Sequence, residues 1–186
     1  MAATIANIAR SPTAFISGHT DLSQADFDTI YIPLIDAALS DGHNLVLGDA
    51  VGVDTQALVK AYPDIEARIT VYASRPDNVA MLEALAVKVF GPGDPSLLAT
   101  KSVEAIIGAV KGGRDKARFK HLVRDTNMTL HSDYDILYVR SEGESRDLYG
   151  DKYWKRASAT QLNRERRGKM ELMRVAEDIE KDGRSE

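Results

Sequence analysis

Short apolar segments alternate with segments of helical periodicity along most of this chain. Short apolar runs bounded by turn residues are typical of buried strands. They occur at Thr13–Ser17, Leu45–Leu47, Arg68–Ala73, Val87–Phe90 and Tyr134–Val139. Strands that alternate with helices pair in parallel through right-handed crossovers. The alternation therefore predicts an α/β fold with a doubly wound, mainly parallel sheet, helices on both faces and a long C-terminal helix.

The segments between the predicted strands carry the apolar spacing and the end signals of helices. Apolar residues recur at helical spacing over residues 27–39, and Ser23 followed by Asp26 forms a capping pattern before them. The other predicted helices are Asp54–Ala61, Val79–Lys88, Val103–Val110, Asp115–Leu130 and a long charged helix at Ala157–Lys181, and Arg140–Lys152 is predicted to be a polar loop. We assign residues 1–152 to one domain and residues 153–186 to a helical extension of the same domain.

Composition excludes several classes of site and partner. The 186 residues include 24 Lys and Arg against 28 Asp and Glu, a formal net charge of −4, and no Cys. The absence of Cys excludes disulfides, thiolate metal sites and a cysteine nucleophile. No run of about 18 apolar residues and no targeting segment is visible. We therefore expect a cytoplasmic protein with no membrane partner.

The loop after the first predicted strand contains Ser17, Gly18 and His19. Doubly wound sheets bind ligands outside the carboxyl ends of their strands, so such loops are the candidate sites. Glycine allows a ligand to approach the backbone, and His19 could donate to a phosphate or a base. The alternative is that His19 only closes the turn. The loop after the third strand adds Arg75 to the candidate ligand-binding residues.

The loop after the second strand contains Gly48, Asp49, Gly52 and Asp54. Two glycines between a strand and a helix can form a phosphate cradle, although the loop matches neither the P-loop nor the dinucleotide pattern. Asp49 is a candidate acceptor for ribose hydroxyls. Asp54 either caps the next helix or contacts a ligand.

A third candidate element precedes the last strand. Arg124 offers a planar guanidinium group suited to phosphate. Met128 lies four residues later on the same helical face, where it packs against either a base or the core. The segment Lys111–Arg124 is strongly basic, and it forms either a solvated helix face or part of an anion site.

Taken together, these motifs resemble the SLOG superfamily, which includes the lonely-guy phosphoribohydrolases, the DprA/Smf proteins and nucleotide-sensing domains of defence systems. The resemblance covers about residues 13–145 and rests on the Ser-Gly-His loop, Gly-Asp-x-x-Gly-x-Asp-x-x-Ala from Gly48, and Arg-x-x-x-Met-x-x-x-Ser-Asp from Arg124. It implies a Rossmann-like fold for residues 1–152 with a pocket for a nucleotide or nucleotide-derived molecule. It also implies that Gly48 and Gly52 belong to the phosphate loop and that Arg124 faces the ribose-phosphate.

The chain departs from the lonely-guy enzymes after its last strand. Those enzymes have Pro-Gly-Gly-x-Gly-Thr-x-x-Glu there, whereas this chain has the segment Arg140–Arg146. Cleavage of an N-glycosidic bond needs a carboxylate near the anomeric carbon. Glu142, Glu144 and Asp49 are the candidates for that catalytic role, and the alternative is that the two glutamates are surface residues without a role.

The leading hypothesis is a nucleotide-binding protein that hydrolyses the N-glycosidic bond of a nucleoside monophosphate or related nucleotide. The alternative is a binding module that senses a nucleotide signal without turning it over. Nucleic-acid binding in the manner of DprA ranks third, because the basic segments Lys111–Arg124 and Arg164–Arg167 contain Phe119 as their only Phe, Tyr or Trp.

Two further expectations concern cofactors and assembly. The four histidines lack paired ligand spacing, so we expect neither a metal nor a cofactor. The narrow apolar stripe of the C-terminal helix packs either on its own domain or across a homodimer.

Overall fold

A computed structural model describes residues 10–61, 68–85, 87–92, 94–95, 97, 116–155 and 157–182. The helix predicted at residues 103–110 and residues 111–115 of the basic segment lie outside this set, so the predictions for them are not addressed by the structure. Among the described residues, no helix has the length and apolar character needed to cross a membrane.

The described strands form one parallel five-stranded sheet. In chain order they are β1 (Thr13–Ser17), β2 (Asn44–Gly48), β3 (Ile69–Tyr72), β4 (Lys88–Phe90) and β5 (Tyr134–Leu137). The spatial order is β4-β3-β2-β1-β5, and each neighbouring pair is parallel. The predicted doubly wound α/β fold is therefore confirmed.

Helices connect the strands and cover both faces of the sheet. In chain order they are α1 (Gln24–Ile30), α2 (Ile32–Ser40), α3 (Val53–Ala61), α4 (Pro76–Glu83), α5 (Lys116–Leu130), α6 (Glu142–Tyr149) and α7 (Ala159–Asp182), with a 3₁₀ helix at Gly150–Lys152. The direction of the crossovers reverses after β4, because β5 pairs with β1 on the far side of the sheet. Right-handed crossovers then place α1 to α4 on one face and α5 on the other.

The helix predicted over residues 27–39 is wrong in one respect, because two helices occupy that region. The Ser23 side chain accepts a hydrogen bond from the backbone N–H of Asp26 at 3.1 Å, so the predicted N-cap is confirmed. The chain then breaks at Tyr31, which ends α1 and precedes α2. Pro33 stands in the first turn of α2, where its missing N–H costs little but where it interrupts a continuous helix.

The polar loop predicted at Arg140–Lys152 is also wrong, because most of it forms α6 and the 3₁₀ helix. Ser141 and Glu144 form a complete capping box, which satisfies two backbone N–H groups at the start of α6. No side chain of α6 is buried. The helix therefore gave no apolar periodicity in the sequence, and only the capping pattern could have predicted it.

The two faces of the sheet are packed with different kinds of side chain. Alternate strand residues such as Ile16, Leu47 and Val71 join the side chains of α1 to α4 in a large apolar core. The other face contributes a small apolar cluster of Phe15, Val46, Tyr72 and Met128. The rest of that second face, under α5 and α7, is occupied by buried polar and charged side chains.

Candidate functional site

The strand order reverses between β1 and β5, so their carboxyl ends form the topological switch point of the sheet. Tyr31 bridges the two strand ends: its hydroxyl donates to the carbonyl of Ser17 at 2.9 Å and accepts from the backbone N–H of Tyr138 at 3.0 Å. Burial raises the pKa of Tyr31 to about 12. Tyr31 thus stays protonated and fixes the spacing of the two strand ends. The sequence indicated it only as an apolar helix residue.

The loop after β1 is packed closely against its neighbours. A Cβ on Gly18 would lie 2.5 Å from Val53 Cβ and 2.7 Å from the Tyr31 hydroxyl, so only glycine fits there. His19 Nε2 lies 3.4 Å from the backbone N–H of Arg140 and accepts from it. Burial and the Arg140 charge lower the pKa of His19. At neutral pH, His19 is thus an uncharged acceptor that joins the loops after β1 and β5.

Gly52, in the loop after β2, lies against the backbone of His19 and Thr20 in the loop after β1. Its φ is +82°, and a Cβ there would lie 2.5 Å from the carbonyl oxygen of His19 and 2.6 Å from Thr20 Cα. A left-handed φ and a close backbone approach both require glycine. The second loop is therefore seated directly on the first, next to the switch point.

Gly48, at the end of β2, is covered by two ionisable side chains. A Cβ on Gly48 would lie 2.3 Å from Asp54 Oδ2 and 3.1 Å from Arg124 Cζ. The fold therefore brings Gly48, Asp54 and Arg124 together at the carboxyl edge, although Gly48 and Arg124 are 76 residues apart in the chain. At both Gly48 and Gly52, the space that a Cβ would occupy is filled by other atoms of the protein.

Arg124 is engaged in ion pairs with two carboxylates. Its Nη1 lies 2.8 Å from Asp49 Oδ1, and its Nη2 lies 2.9 Å from Asp125 Oδ1. Its Nε also donates to Asp125 Oδ1 at 3.0 Å. All three guanidinium nitrogens thus have partners, and a phosphate bound to Arg124 would have to displace carboxylates.

Asp49 is equally saturated. Its Oδ2 accepts from the backbone N–H of Ser74 at 2.8 Å and from Asn78 Nδ2 at 2.8 Å, while Oδ1 faces Arg124. Burial acts to raise the pKa of Asp49, but the hydrogen bonds from Asn78 and Ser74 and the charge of Arg124 outweigh it and hold the pKa below its usual value. Asp49 is therefore an ionised residue that ties the loops after β2 and β3 together.

Asp54 differs from the other carboxylates of this cluster. It is the second residue of α3 and does not precede the helix as an N-cap would. Its Oδ2 accepts from the backbone N–H of Ala50 at 3.2 Å. Burial raises the pKa of Asp54 to about 7 against the opposing charge of Arg124. A buried carboxyl group that gains and loses a proton near neutral pH at a strand end is a candidate functional group.

Metal binding finds no support in this cluster. Asp49 and Asp125 face Arg124, which supplies the positive charge that a metal would otherwise provide. No group of three or more His, Asp or Glu among the described residues is arranged to hold a metal ion.

The remaining candidate ligand-binding residues lie in different surroundings. Met128 is 1% exposed and packs with Phe15, Val46 and Tyr72, so it takes the core position that was the alternative for it. Arg75 is exposed and occupies the N-cap position of α4 without a capping hydrogen bond from its side chain.

Glu142 and Glu144 lie in the first turn of α6. Glu144 accepts from the backbone N–H of Ser141 at 2.7 Å and from the hydroxyl of Tyr138, and these contacts hold its pKa at about 2. Glu142 pairs with Arg146 at 2.6 Å and with Lys155 at 3.3 Å, which lowers its pKa. Both carboxylates are exposed and ionised, and both stabilise α6 locally.

Sequence reasoning missed the inward face of α7. Asn163 Nδ2 donates to Ser17 Oγ at 2.7 Å, so the start of this helix lies beside the end of β1. Arg167 pairs with Asp135 at 2.6 Å and donates to Ser132. Asn163, Arg167 and buried Met170 are spaced by four and three residues, so they share one face of the helix. That spacing was the sequence signal that could have identified the inward face.

Burial also changes the interpretation of the basic run Arg164–Arg167. Arg166 is 5% exposed and Arg167 is 8% exposed, so neither is available to the backbone of a nucleic acid. Arg164 alone of the three arginines is exposed.

A cavity of about 340 Å³ lies between α1 and α3. Its lining includes Phe27, Ile32, Val59 and Gln56. Gln56 Oε1 has no hydrogen-bond partner among the described residues. The lining is mainly apolar, in contrast to the charged groups collected at the ends of β1 and β2.

Comparison of the chain with models of protein families, with curated proteins and with solved structures finds no match in any of the three.

Proposed function

We propose that this protein binds a nucleotide or a nucleotide-derived small molecule at the carboxyl edge of its sheet, near the ends of β1 and β5. The strand order carries the proposal, because doubly wound sheets bind ligands where the order reverses. The loops after β1 and β2 contact each other at this point through Gly52 and His19. The resemblance to the SLOG superfamily supplies the class of ligand.

Binding without turnover is the version that the carboxylates favour. Hydrolysis of an N-glycosidic bond needs a carboxylate that is free to act at the anomeric carbon. Asp49 is saturated by Arg124, Ser74 and Asn78. Glu142 and Glu144 are held by the contacts of α6. A sensor of a nucleotide signal requires none of the three to be free.

Calorimetry with a panel of nucleoside monophosphates, cyclic nucleotides and nicotinamide dinucleotides tests this proposal. We expect one class to bind and to be recovered unchanged by chromatography. A His19→Ala variant should weaken binding because it opens the contact between the loops after β1 and β5. The exposed His121, on the outer side of α5, provides a matched control as His121→Ala. Absence of binding across the panel would refute the proposal.

Hydrolysis remains the second candidate because of one residue. Asp54 is a buried carboxyl group with a pKa of about 7, and a general acid with such a pKa is well suited to protonate a leaving base. Incubation of the monophosphate panel with the protein should then release free base, and Asp54→Asn should abolish the release. Release that persists in Asp54→Asn would exclude this role for Asp54.

A further inference from the structure

Arg166 and Arg167 of α7 are buried and Arg124 of α5 is half-buried, and among the described residues Arg166 has no carboxylate partner. Arg124 and Arg167 form the ion pairs described above. Arg166 instead donates from Nη1 to Asn163 Oδ1 at 2.7 Å and to Thr129 Oγ1 at 3.5 Å. No carboxylate among the described residues forms an ion pair with it, although it is 5% exposed. A buried cation without a counter-ion is costly, so an anion bound there would stabilise it.

The nearby carboxylates do not fill this role. Asp125 and Asp135 both act on Arg166 at longer range, but Asp125 is paired with Arg124 and Asp135 with Arg167. Burial consequently lowers the pKa of Arg166, despite the attraction of those two carboxylates. Among the described residues, Arg166 therefore has no carboxylate of its own at ion-pair distance.

Unpartnered polar atoms accompany this charge. Arg166 Nε and Thr160 Oγ1 are buried and have no hydrogen-bond partner in the part of the chain that the structure describes. Thr160 is 1% exposed. Ser17 Oγ accepts from Asn163 Nδ2, which leaves the Ser17 hydroxyl proton to be donated. Buried hydroxyl and guanidinium groups are normally paired, so the two unpartnered donors, Thr160 Oγ1 and Arg166 Nε, indicate a missing partner that accepts.

The first turn of α7 lies at the same place. Ser158 Oγ accepts from the backbone N–H of Gln161 at 3.1 Å and so caps a helix of 24 residues. The N–H groups of Ala159 and Thr160 precede the first intrahelical hydrogen bond, which joins Leu162 to Ser158 at 3.0 Å. Unpaired N–H groups at a helix start attract anions. Ser158 and Gln161 are half-buried, so this turn is reached from the surface.

We propose that Ser17, Thr160, Arg166 and the first turn of α7 form an oxyanion subsite that holds a phosphate group. Phosphate oxygens accept from hydroxyls, backbone N–H groups and guanidinium groups together, and they would place a negative charge in direct contact with Arg166. The identity of the ligand as a nucleotide rests on the proposed function. The subsite lies beside the end of β1, and it assigns the phosphate to Arg166 in place of Arg124.

Calorimetry with inorganic phosphate, with a monophosphate that binds and with its nucleoside tests the subsite on the full chain. Thr160→Val removes one donor and keeps the shape of the side chain. We expect it to weaken phosphate and monophosphate binding about tenfold, since a hydrogen bond to a charged group contributes on the order of 1.5 kcal/mol or more. Binding of the nucleoside should not change. Arg166→Lys should show the same pattern, and the exposed Arg164→Gln on the same helix is the control.

The outcomes separate this subsite from the wider proposal. If nucleotides bind and both variants bind them as the wild type does, the subsite is refuted and the nucleotide site stands. If inorganic phosphate binds in a Thr160-dependent way and no nucleotide binds better than phosphate, the subsite stands and the nucleotide proposal is refuted. If neither phosphate nor nucleotide binds, both are refuted.

Discussion

The two faces of the sheet differ in what their buried side chains contribute. Ile16 and Ser17 are neighbours on β1, yet Ile16 enters an apolar core under α1 to α4 and Ser17 enters a polar layer under α7. An apolar core is stabilised by removal of surface from water. Buried charges gain little net stability, because desolvation offsets their attraction. The polar face is therefore the part of this molecule whose composition needs an explanation other than folding.

The largest expected effect is the loss of a buried cation on the polar face. Arg167→Ala would leave Asp135 buried without a counter-ion and would remove the hydrogen bonds to Ser132. We expect the free energy of unfolding to fall by about 4 kcal/mol, as measured by urea denaturation. Arg164→Ala, an exposed arginine on the same helix, should change it by less than about 0.5 kcal/mol.

A double variant sharpens this result. Arg167→Met with Asp135→Leu removes both charges and keeps similar volumes, so it should recover most of the stability lost in Arg167→Ala. Recovery would show that the ion pair itself adds little to folding. A double variant as unstable as Arg167→Ala would mean that the polar face, like the apolar one, is built mainly for stability, and the contrast between the faces would disappear.

The apolar face should respond to loss of volume alone. Leu47 is fully buried in the centre of the sheet, and Leu47→Ala should lower the free energy of unfolding by about 3 kcal/mol through lost burial and a residual cavity. Leu34 on α2 is 49% exposed, so Leu34→Ala should cost well under half as much. Calorimetric melting of both variants measures the difference. Equal losses would contradict the assignment of the core to this face.

The contrast also explains how much of the fold was predictable. The strand segments were found because a buried parallel strand has an apolar run that a local pattern detects. The cap at Ser23 was found because its signal spans four residues. The predicted single helix over residues 27–39 failed at Tyr31, because Pro33 in the first turn of α2 lacks the N–H that a continuous helix would need.

The candidate site was less predictable because it is built from long-range pairs. Gly48, Asp49 and Arg124 were selected from short motifs, but their mutual saturation depends on distances that no local pattern contains. Arg166 and Arg167 have the composition of a solvated charge run and are nevertheless buried. Charged residues are so rarely buried that the sequence favours the opposite interpretation.

Asp54, beside Gly48 at the carboxyl end of β2, should make the stability of the protein depend on pH. In the unfolded chain Asp54 ionises near its ordinary pKa of 3.8, whereas in the folded protein its pKa is about 7. The folded state therefore holds a proton that the unfolded state has lost between about pH 4 and pH 7. The stability linked to that proton is complete below pH 4 and is lost as the pH rises towards 7.

Asp54→Asn removes this linkage and retains an acceptor for the Ala50 N–H. Relative to the wild type, the variant should gain stability as the pH rises from 4 to 7. One pKa unit corresponds to about 1.4 kcal/mol, and we expect the stability difference between the two proteins to change by more than that amount in denaturant titrations between pH 4 and pH 7. A difference between the two proteins that is independent of pH would show that Asp54 is ionised throughout, as Asp49 is.

The smallest expected effect distinguishes two buried threonines of the polar face. Thr129 Oγ1 donates to the carbonyl of Asp125 at 2.9 Å, whereas Thr160 Oγ1 has no partner among the described residues. Thr129→Val should lower the free energy of unfolding by about 1 kcal/mol. Thr160→Val should leave it within about 0.5 kcal/mol of the wild type, or raise it slightly, because a buried hydroxyl without a partner is itself unfavourable. Urea denaturation of both variants and the wild type in phosphate-free buffer measures these changes in the free energy of unfolding. A loss of 1 kcal/mol or so in Thr160→Val would mean that its hydroxyl already serves the folded protein and is not reserved for a ligand.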